Sequence, residues 1–281
     1  MTILVTGATG AVGRLVVTEL LAKGADVRAV TRDPEKAALP AGVDVMRADL
    51  GDASTLSPEL FAGIEAAFVF PTDRPVDDFV ATAVAGGIER FVVLSSLAVS
   101  AHFPRDIGSA SQVHHQEVET AVTSRTDEWT MLRPGTFANN LLSWSYPIKA
   151  AGRVTAPYIH SAQTPIHEAD VAAVAAVVLS QQGHEGKIYE LTGPESLTRI
   201  EQVAAISAAI GREIAIDEIS PQQFRDEVSR FIPEDVIKML LDYWSDTVEV
   251  PDVPTTAVED LTGKSARTLA QWAADHRSDF S

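Results

Sequence analysis

Thr6-Gly7-Ala8-Thr9-Gly10-Ala11-Val12-Gly13 decides the fold of this chain, because it joins a predicted strand at Ile3–Thr6 to a predicted helix at Val12–Lys23. Its three glycines are spaced three residues apart. Gly7 suits a sharp strand-to-helix turn, Gly10 lets the backbone approach a diphosphate, and Gly13 lets the helix pack closely on the sheet. The diphosphate would lie at the positive end of the helix dipole, where it accepts hydrogen bonds from free amides. The stretch therefore predicts a dinucleotide-binding loop.

Short β-branched runs alternate with amphipathic stretches through the first half of the chain, which is typical of βαβ units and a parallel sheet. The predicted strands are Ile3–Thr6, Val27–Thr31, Val43–Arg47, Ala66–Phe70, Phe91–Ser95 and Thr130–Leu132. The predicted helices between them include Val12–Lys23, Asp77–Gly86 and Ser111–Thr123. Six strands joined by right-handed crossovers predict an α/β Rossmann fold with a doubly wound parallel sheet.

After Leu132 the pattern is less regular, and frequent Gly and Pro residues indicate a loop-rich stretch. The predicted elements there are a helix at Ala169–Leu179, a strand at Lys187–Leu191, a helix from a Thr198/Glu201 capping box to Ile210 with Gly211 at its end, and an acidic helical tail from Asp217. We expect residues 1–135 to form an NAD(P)-binding Rossmann core. Residues 136–281 would form a small C-terminal α/β substrate lobe packed on it, with a strand and helices partly returning to the core.

The composition excludes several classes of function. The 281 residues include no Cys, so the chain has no disulfide framework, thiolate nucleophile or Cys-type zinc site. A net charge of −17 argues against a nucleic-acid surface, and no apolar stretch is long enough to span a membrane. The scattered histidines His102, His160, His167 and His184 lack metal-site spacing, so we expect no metal. A cytoplasmic monomer or homodimer that acts on a small molecule is the expectation.

The choice of cofactor depends on the end of the second strand, where sites that prefer NAD place Asp or Glu on the ribose 2′-hydroxyl. Thr31 and Arg32 stand in that place. The Arg32 guanidinium can pair with a 2′-phosphate and stack on adenine, which predicts a preference for NADP(H). The alternative is that Arg32 pairs with Asp33 or Glu35 on a solvated loop. We expect Asp49, after the third strand, to lie beside the adenine.

The expected cofactor contacts lie in the glycine loop and after the predicted strands, because open α/β sheets bind ligands at the carboxyl ends of their strands. These residues are Gly7, Ala8, Thr9, Gly10, Ala11, Val12, Gly13, Arg32, Asp49, Leu50, Pro71, Thr72, Ser95, Ser96, Pro134, Gly135 and Thr136.

Several motifs together resemble those of the atypical short-chain dehydrogenase/reductases. They are Thr6–Gly13, Thr31–Lys36, Ala48-Asp49-Leu50 and Leu132-Arg133-Pro134-Gly135. Within that group, the chain is most similar to the NmrA-like and NAD(P)H:quinone-oxidoreductase-like proteins, whose C-terminal motifs resemble Tyr189–Glu195 and Thr268–Trp272 here. The resemblance spans nearly the whole chain and implies an NAD(P)-binding Rossmann fold.

One expected motif of the superfamily is missing. Most of its enzymes carry Tyr-x-x-x-Lys on the helix after the fifth strand, where Tyr protonates the substrate oxygen. None of the four tyrosines here has Lys four residues later. By position, His115 replaces the tyrosine, Glu119 the lysine, and Leu97 the usual serine. His115 held by Glu119 is therefore a candidate catalytic proton donor; alternatively, His114 and His115 are ordinary helix residues paired with Glu117 or Glu119.

Four aromatic residues after the sixth strand, Phe137, Trp144, Tyr146 and Tyr158, are candidate substrate contacts, although they could also be core residues of the small lobe. An aromatic crevice would suit a planar or polyketide-like substrate. We expect an NADPH-dependent reductase of a quinone, enone or ketone. Hydride transfer to a quinone or activated enone does not demand a protein acid. The missing Tyr and Lys keep two alternatives open: a non-catalytic NADP(H) sensor of NmrA type, and a non-redox isomerase or cyclase.

Overall fold

The computed structural model describes residues 1–72 and 74–281. The chain divides into two compact units. Unit 1 comprises Met1–Val99, His114–Pro134 and Glu168–Glu190, and unit 2 comprises Ser100–Val113, Gly135–His167 and Leu191–Ser281. Each unit has its own hydrophobic core.

The strands of the chain are β1 (Thr2–Val5), β2 (Asp26–Thr31), β3 (Asp44–Arg47), β4 (Ala66–Val69), β5 (Arg90–Leu94), β6 (Trp129–Pro134), β7 (Arg153–Ala156), β8 (Ala162–Gln163), β9 (Lys187–Leu191), β10 (Leu197–Thr198) and β11 (Ala215–Glu218). The α-helices are α1 (Ala11–Ala22), α2 (Pro58–Phe61), α3 (Asp77–Ala85), α4 (Ala110–Thr123), α5 (Ser145–Ala151), α6 (Glu168–Ser180), α7 (Arg199–Ile210), α8 (Pro221–Val228), α9 (Glu234–Glu249), α10 (Ala257–Thr262), α11 (Leu269–Asp275) and α12 (Arg277–Phe280). Short 3-10 turns cover Pro34–Lys36, Ala53–Thr55, Leu97–Ser100 and Ala138–Trp144.

A seven-stranded sheet forms the centre of unit 1, in the order β3-β2-β1-β4-β5-β6-β9. Pairing from β3 through β6 is parallel. The strand order reverses at β1, which pairs with β2 on one side and β4 on the other, and such a switch point opens a crevice at the carboxyl ends of the strands. This confirms the predicted doubly wound Rossmann fold. The seventh strand, β9, has the bounds predicted for it.

The central strands β1, β4 and β5 of the sheet in unit 1 are largely buried, because their residues are mostly apolar on both faces. Every residue of β4, Ala-Ala-Phe-Val, is buried, as expected for a central parallel strand covered by helices. Helix α6 packs against α1, and ten of its residues are buried. The core contains the fully buried rings of Phe61, Phe79 and Phe91.

Unit 2 is built from helices and two small two-stranded sheets, antiparallel β8–β10 and parallel β7–β11. Its core surrounds Trp272, which is fully buried on α11. The predicted capping box is confirmed, because Thr198 and Glu201 exchange hydrogen bonds at the start of α7. Gly211 ends the helix in the left-handed conformation, with φ of +69°.

One prediction in the second half of the chain is wrong. The tail was expected to be helical from Asp217, but Asp217 lies in β11, which pairs with β7 in the register Asp217 to Thr155. The reason is that β11 is stabilised by pairing with the distant strand β7, and its own four residues give no clear strand signal. Helices follow from Pro221 onward. Across the described residues, no helix is long and apolar enough to cross a membrane.

Candidate active site

The glycine loop lies between β1 and α1, at the switch point of the sheet. Thr6 anchors it, because its hydroxyl donates to the Phe68 carbonyl at 3.0 Å and accepts from the Phe70 amide at 2.7 Å. Gly7 has a φ of +60°, and a Cβ there would lie 2.7 Å from Phe70. At Gly13 a Cβ would lie 2.1 Å from the Gly7 carbonyl oxygen. Gly13 therefore lets the helix approach the loop backbone itself, rather than the sheet as predicted.

The start of α1 presents unbonded amides to the space in front of the loop. The first helical hydrogen bond runs from the Arg14 amide to the Gly10 carbonyl at 3.0 Å, so the amides of Ala11, Val12 and Gly13 precede it. Gly10 caps the helix without a side chain, and in this part of the described chain no acidic residue occupies the first turn. The loop therefore fits an anionic diphosphate, because it combines donor groups, the positive helix end and a glycine cradle that side chains would fill.

Arg14 holds the loop in place, a role that the sequence reasoning missed. Its Nε donates to the Thr9 carbonyl at 2.9 Å, and one terminal nitrogen donates to the Ala38 carbonyl at 2.9 Å. These bonds join the glycine loop to the segment after β2. The only sequence signal was a basic residue directly after the last glycine of the motif, which is a weak one.

Arg32, immediately after β2, is exposed. The structure does not support the alternative in which Arg32 pairs with Asp33, because the Asp33 carboxylate binds Lys36 Nζ at 2.8 Å. Among the described residues, no carboxylate forms an ion pair with Arg32. Its guanidinium therefore keeps all its donors for a ligand.

Asp49 and Leu50 follow β3. One Asp49 oxygen accepts from the Gly51 amide at 3.1 Å, and the other lies 3.3 Å from Arg74. The Leu50 side chain is buried in the core of unit 1. Asp49 therefore shapes its own turn, and any contact of Leu50 with a cofactor would come from its backbone.

The remaining predicted contacts in unit 1 lie at the carboxyl ends of β4, β5 and β6. Pro71 and Thr72 are half-buried after β4, and the Thr72 hydroxyl donates to the Arg74 carbonyl at 2.8 Å. Ser95 is buried after β5, where its amide donates to the Leu132 carbonyl at 2.7 Å, and Ser96 follows it. Pro134 ends β6 and is buried.

The predicted catalytic residues lie on α4 in different surroundings. Glu119 is 5% exposed and accepts two hydrogen bonds from Arg133, from Nε at 2.9 Å and from a terminal nitrogen at 2.7 Å. It also accepts from the Ser95 hydroxyl at 2.5 Å. Arg133 thus balances the charge of Glu119, and the expected role of Glu119 in holding the His115 imidazole stays a prediction. His115 is half-buried, and its ring centroid lies 5.1 Å from that of His114 with the two rings nearly perpendicular.

The predicted residues of unit 2 begin directly after β6. Gly135 donates its amide to the Leu191 carbonyl at 2.9 Å, and half-buried Phe137 forms a bridge with Ile166. The candidate substrate contacts differ in exposure: Trp144 is 7% exposed in the core, whereas Tyr146 is 81% exposed. These two residues therefore do not line one crevice together. Tyr158 is half-buried in a turn, with a φ of +52°.

Thr136 belongs to a half-buried polar cluster that no sequence motif indicated. Its hydroxyl lies 2.9 Å from the Tyr243 hydroxyl, which donates to Asp252. Arg105 is paired with Asp246 and Asp252. Burial, reinforced by the negative charge of Asp252, raises the pKa of Tyr243 well above its usual value, and burial also raises the pKa of Asp252. Tyr243 therefore stays protonated at neutral pH.

The chain matches the NAD(P)H-binding family over residues 7–182. It is 37% identical to (4-alkanoyl-5-oxo-2,5-dihydrofuran-3-yl)methyl phosphate reductase of Streptomyces griseus, over 99% of both chains. The chain belongs to this family of NAD(P)H-binding oxidoreductases. It is also 30% identical to NAD(P)H azoreductase of Xenophilus azovorans, again over 99% of both chains.

The solved structure of the NADPH-dependent quinone oxidoreductase QOR2 of Escherichia coli in complex with NADPH has the same fold. Its TM-score is 0.82 and its identity 26%, over 97% of this chain and 99% of that one. The resemblance to atypical reductases predicted from the motifs is confirmed, and so is NAD(P)H as the cofactor.

Proposed function

We propose that this protein is an NADPH-dependent reductase of small molecules with an electron-poor conjugated double bond, such as a quinone or an enone. The observation that carries the NADPH preference is Arg32, whose guanidinium is exposed after β2 while Asp33 is paired with Lys36. A 2′-phosphate satisfies a planar guanidinium with two parallel hydrogen bonds, whereas a 2′-hydroxyl does not. The amides at the start of α1 would hold the diphosphate.

The substrate class follows from the names of the relatives combined with the chemistry of this site. The relatives are an alkanoyl furanone phosphate reductase, an azoreductase and a quinone oxidoreductase. When bound, reduced nicotinamide supplies a hydride. A quinone or enone that accepts it becomes a delocalised anion, which takes its second hydrogen as a proton from water. Such acceptors suit a site in which Glu119 is committed to Arg133 and Ser95.

A test of the proposal mixes the protein with NADPH and menadione, an acylated butenolide, an azo dye and a simple ketone, and follows the loss of reduced-nicotinamide absorbance. We expect fast turnover of the first three acceptors and slower, still measurable turnover of the ketone. Gly10→Val, whose added side chain would occupy the place of the diphosphate, serves as the control for direct chemical reduction. Tight NADPH binding without turnover of any acceptor would contradict the proposal and favour a redox sensor.

A further inference from the structure

Arg199, the first residue of α7, is a buried cation enclosed by aromatic rings. The residue is 5% exposed. Its guanidinium carbon lies 4.0 Å from the ring centroid of Trp244 and 5.5 Å from that of Trp144. All three residues belong to unit 2.

The guanidinium of Arg199 has no anionic partner among the residues that the structure describes, and its Nε is buried without an acceptor. Burial lowers the pKa of Arg199 to about 10, so the side chain is still charged at neutral pH. A planar guanidinium has five donors in a fixed fork, and here the aromatic faces accept none of them as a hydrogen bond.

Two other arginines whose side chains are largely buried have the carboxylate partners that Arg199 lacks. Arg105 is 7% exposed and binds Asp246 and Asp252, and Arg133 is 12% exposed and binds Glu119. Each therefore recovers its lost hydration through carboxylates. Stacking on an aromatic ring attracts a cation less strongly than burial penalises it, so Trp144 and Trp244 do not replace a counter-ion.

Gln202, one helical turn from Arg199 on α7, is hydrogen-bonded into a chain of buried polar side chains. Gln202 donates to the Gln163 side chain at 2.9 Å and shares its amide with the Leu197 carbonyl, also at 2.9 Å. Gln163 in turn donates to Ser161, whose hydroxyl lies 2.7 Å from that of Thr247. Buried polar side chains close to Arg199 thus have hydrogen-bond partners, whereas its guanidinium has no carboxylate partner among the described residues.

We propose that Arg199 binds the oxyanion of a small-molecule ligand, a phosphate monoester or a carboxylate, in unit 2. Two parallel hydrogen bonds from the guanidinium fork would hold the oxyanion, while the indoles of Trp144 and Trp244 fix the plane of the fork. The ligand is the substrate, a statement that rests on the proposed reductase function. The reductase would then act on conjugated acceptors that carry a negative group, and would bind neutral ones more weakly.

The test measures binding at equilibrium, without NADPH and without turnover. Phenyl phosphate and benzoate are titrated into the full chain, with phenol as the neutral probe and inorganic phosphate as the free anion. Intrinsic tryptophan fluorescence reports binding, because two of the four tryptophans flank the guanidinium. We expect phenyl phosphate or benzoate to change the emission at concentrations at which phenol does not.

Three variants identify the residue responsible. Arg199→Met keeps the length of the side chain but removes the charge, and should weaken binding of the anionic probe at least tenfold. Arg199→Lys keeps a positive charge but lacks the planar fork of donors, so its affinity for the anionic probe should lie between those of the parent and Arg199→Met. Arg230→Met removes the same charge from an exposed position of unit 2, and should bind like the unaltered protein.

The ligand-free stability separates a binding role from a structural one. Removing an uncompensated buried charge does not weaken the fold, so the unfolding midpoint of Arg199→Met should equal or exceed that of the parent. A lower midpoint, unchanged affinity of Arg199→Met for phenyl phosphate, or no binding to the parent protein would each overturn the proposal. Binding through Arg199 without NADPH oxidation would refute only the reductase function. Turnover of menadione without anion binding would refute only this inference.

Discussion

Arg133 and Glu119 form a two-point ion pair inside unit 1, with hydrogen bonds of 2.9 and 2.7 Å and side chains that are 12% and 7% exposed. The pair joins β6 to α4, and Ser95 after β5 also donates to Glu119. The positive charge that balances Glu119 on α4 therefore comes from β6.

Glu119→Gln should destabilise the protein by about 3 kcal/mol, because it leaves the buried Arg133 charge without its carboxylate. Adding Arg133→Met should restore much of that loss, since the charge is then gone and the glutamine still accepts from Ser95. Urea unfolding measures the free energy of unfolding of the single and the double variant. The control is Asp77→Asn, which breaks an ion pair with Arg125 in which Asp77 is 56% exposed, and should cost less than about 1 kcal/mol. A Glu119→Gln variant as stable as the parent would show that the pair contributes nothing.

Two glycines of the loop should respond differently to substitution. Gly13→Ala should disturb the loop itself and lower the unfolding midpoint, because the new Cβ would lie 2.1 Å from the Gly7 carbonyl oxygen. At Gly10 a Cβ would lie 3.3 Å from the same oxygen, so Gly10→Val should still fold but lose NADPH and NADH binding. Fluorescence titration and thermal unfolding check both variants. Parental affinity in Gly10→Val would mean that the loop is only a turn.

We expect His115 to act as a proton donor, and its loss to matter only for acceptors that accept hydride poorly, such as a ketone. His115→Phe keeps a ring of similar size but removes the ionisable nitrogen, so folding and NADPH binding should persist. Turnover of a ketone should fall about 10²–10⁴-fold, as for a lost general acid, while turnover of a quinone should fall far less. Steady-state rates on the two acceptors make the comparison. Equal ketone rates for variant and parent would leave His115 as a helix residue without a chemical role.

The half-buried Tyr243 should make the protein sensitive to alkaline pH. Its pKa is raised well above the ordinary value of 10.0, so the folded chain keeps the phenol proton where the unfolded chain loses it. The free energy of unfolding should therefore fall as the pH rises above about 10, and the stabilisation from this group is complete below that pH.

Tyr243→Phe should reduce that alkaline loss and cost about 1–2 kcal/mol at neutral pH, because the contacts to Thr136 and Asp252 disappear. Tyr146→Phe, at a position that is 81% exposed, is the matched control. Urea unfolding at several pH values gives the slope for each protein. Parallel slopes for the parent and Tyr243→Phe would contradict the assignment.

The fold and the glycine loop could be predicted from sequence because their determinants are local. A positive φ at Gly7 and the approach of Gly13 to the Gly7 carbonyl depend on neighbours within a few positions. The capping box of Thr198 and Glu201 is equally local. Each of these features is therefore visible as a short motif.

The parts that sequence did not predict depend on distant pairing. The strand β11, which contains Asp217, is stabilised by β7, about sixty positions earlier. Glu119 on α4 forms an ion pair with Arg133 on β6, and the Arg199 guanidinium packs against the rings of Trp144 and Trp244. No spacing rule brings such residues together, because only the folded chain decides which side chains are buried side by side.

We propose that this reductase selects NADPH through Arg32. Calorimetric titration of NADPH and NADH into the parent and Arg32→Ala tests it most directly, with Lys23→Ala, which removes a charge from an exposed position at the end of α1, as the control. We expect Arg32→Ala to weaken NADPH binding by about 1.5–3 kcal/mol and to leave NADH binding nearly unchanged, because only the 2′-phosphate contacts the guanidinium. Equal losses for the two cofactors, or none for either, would contradict it.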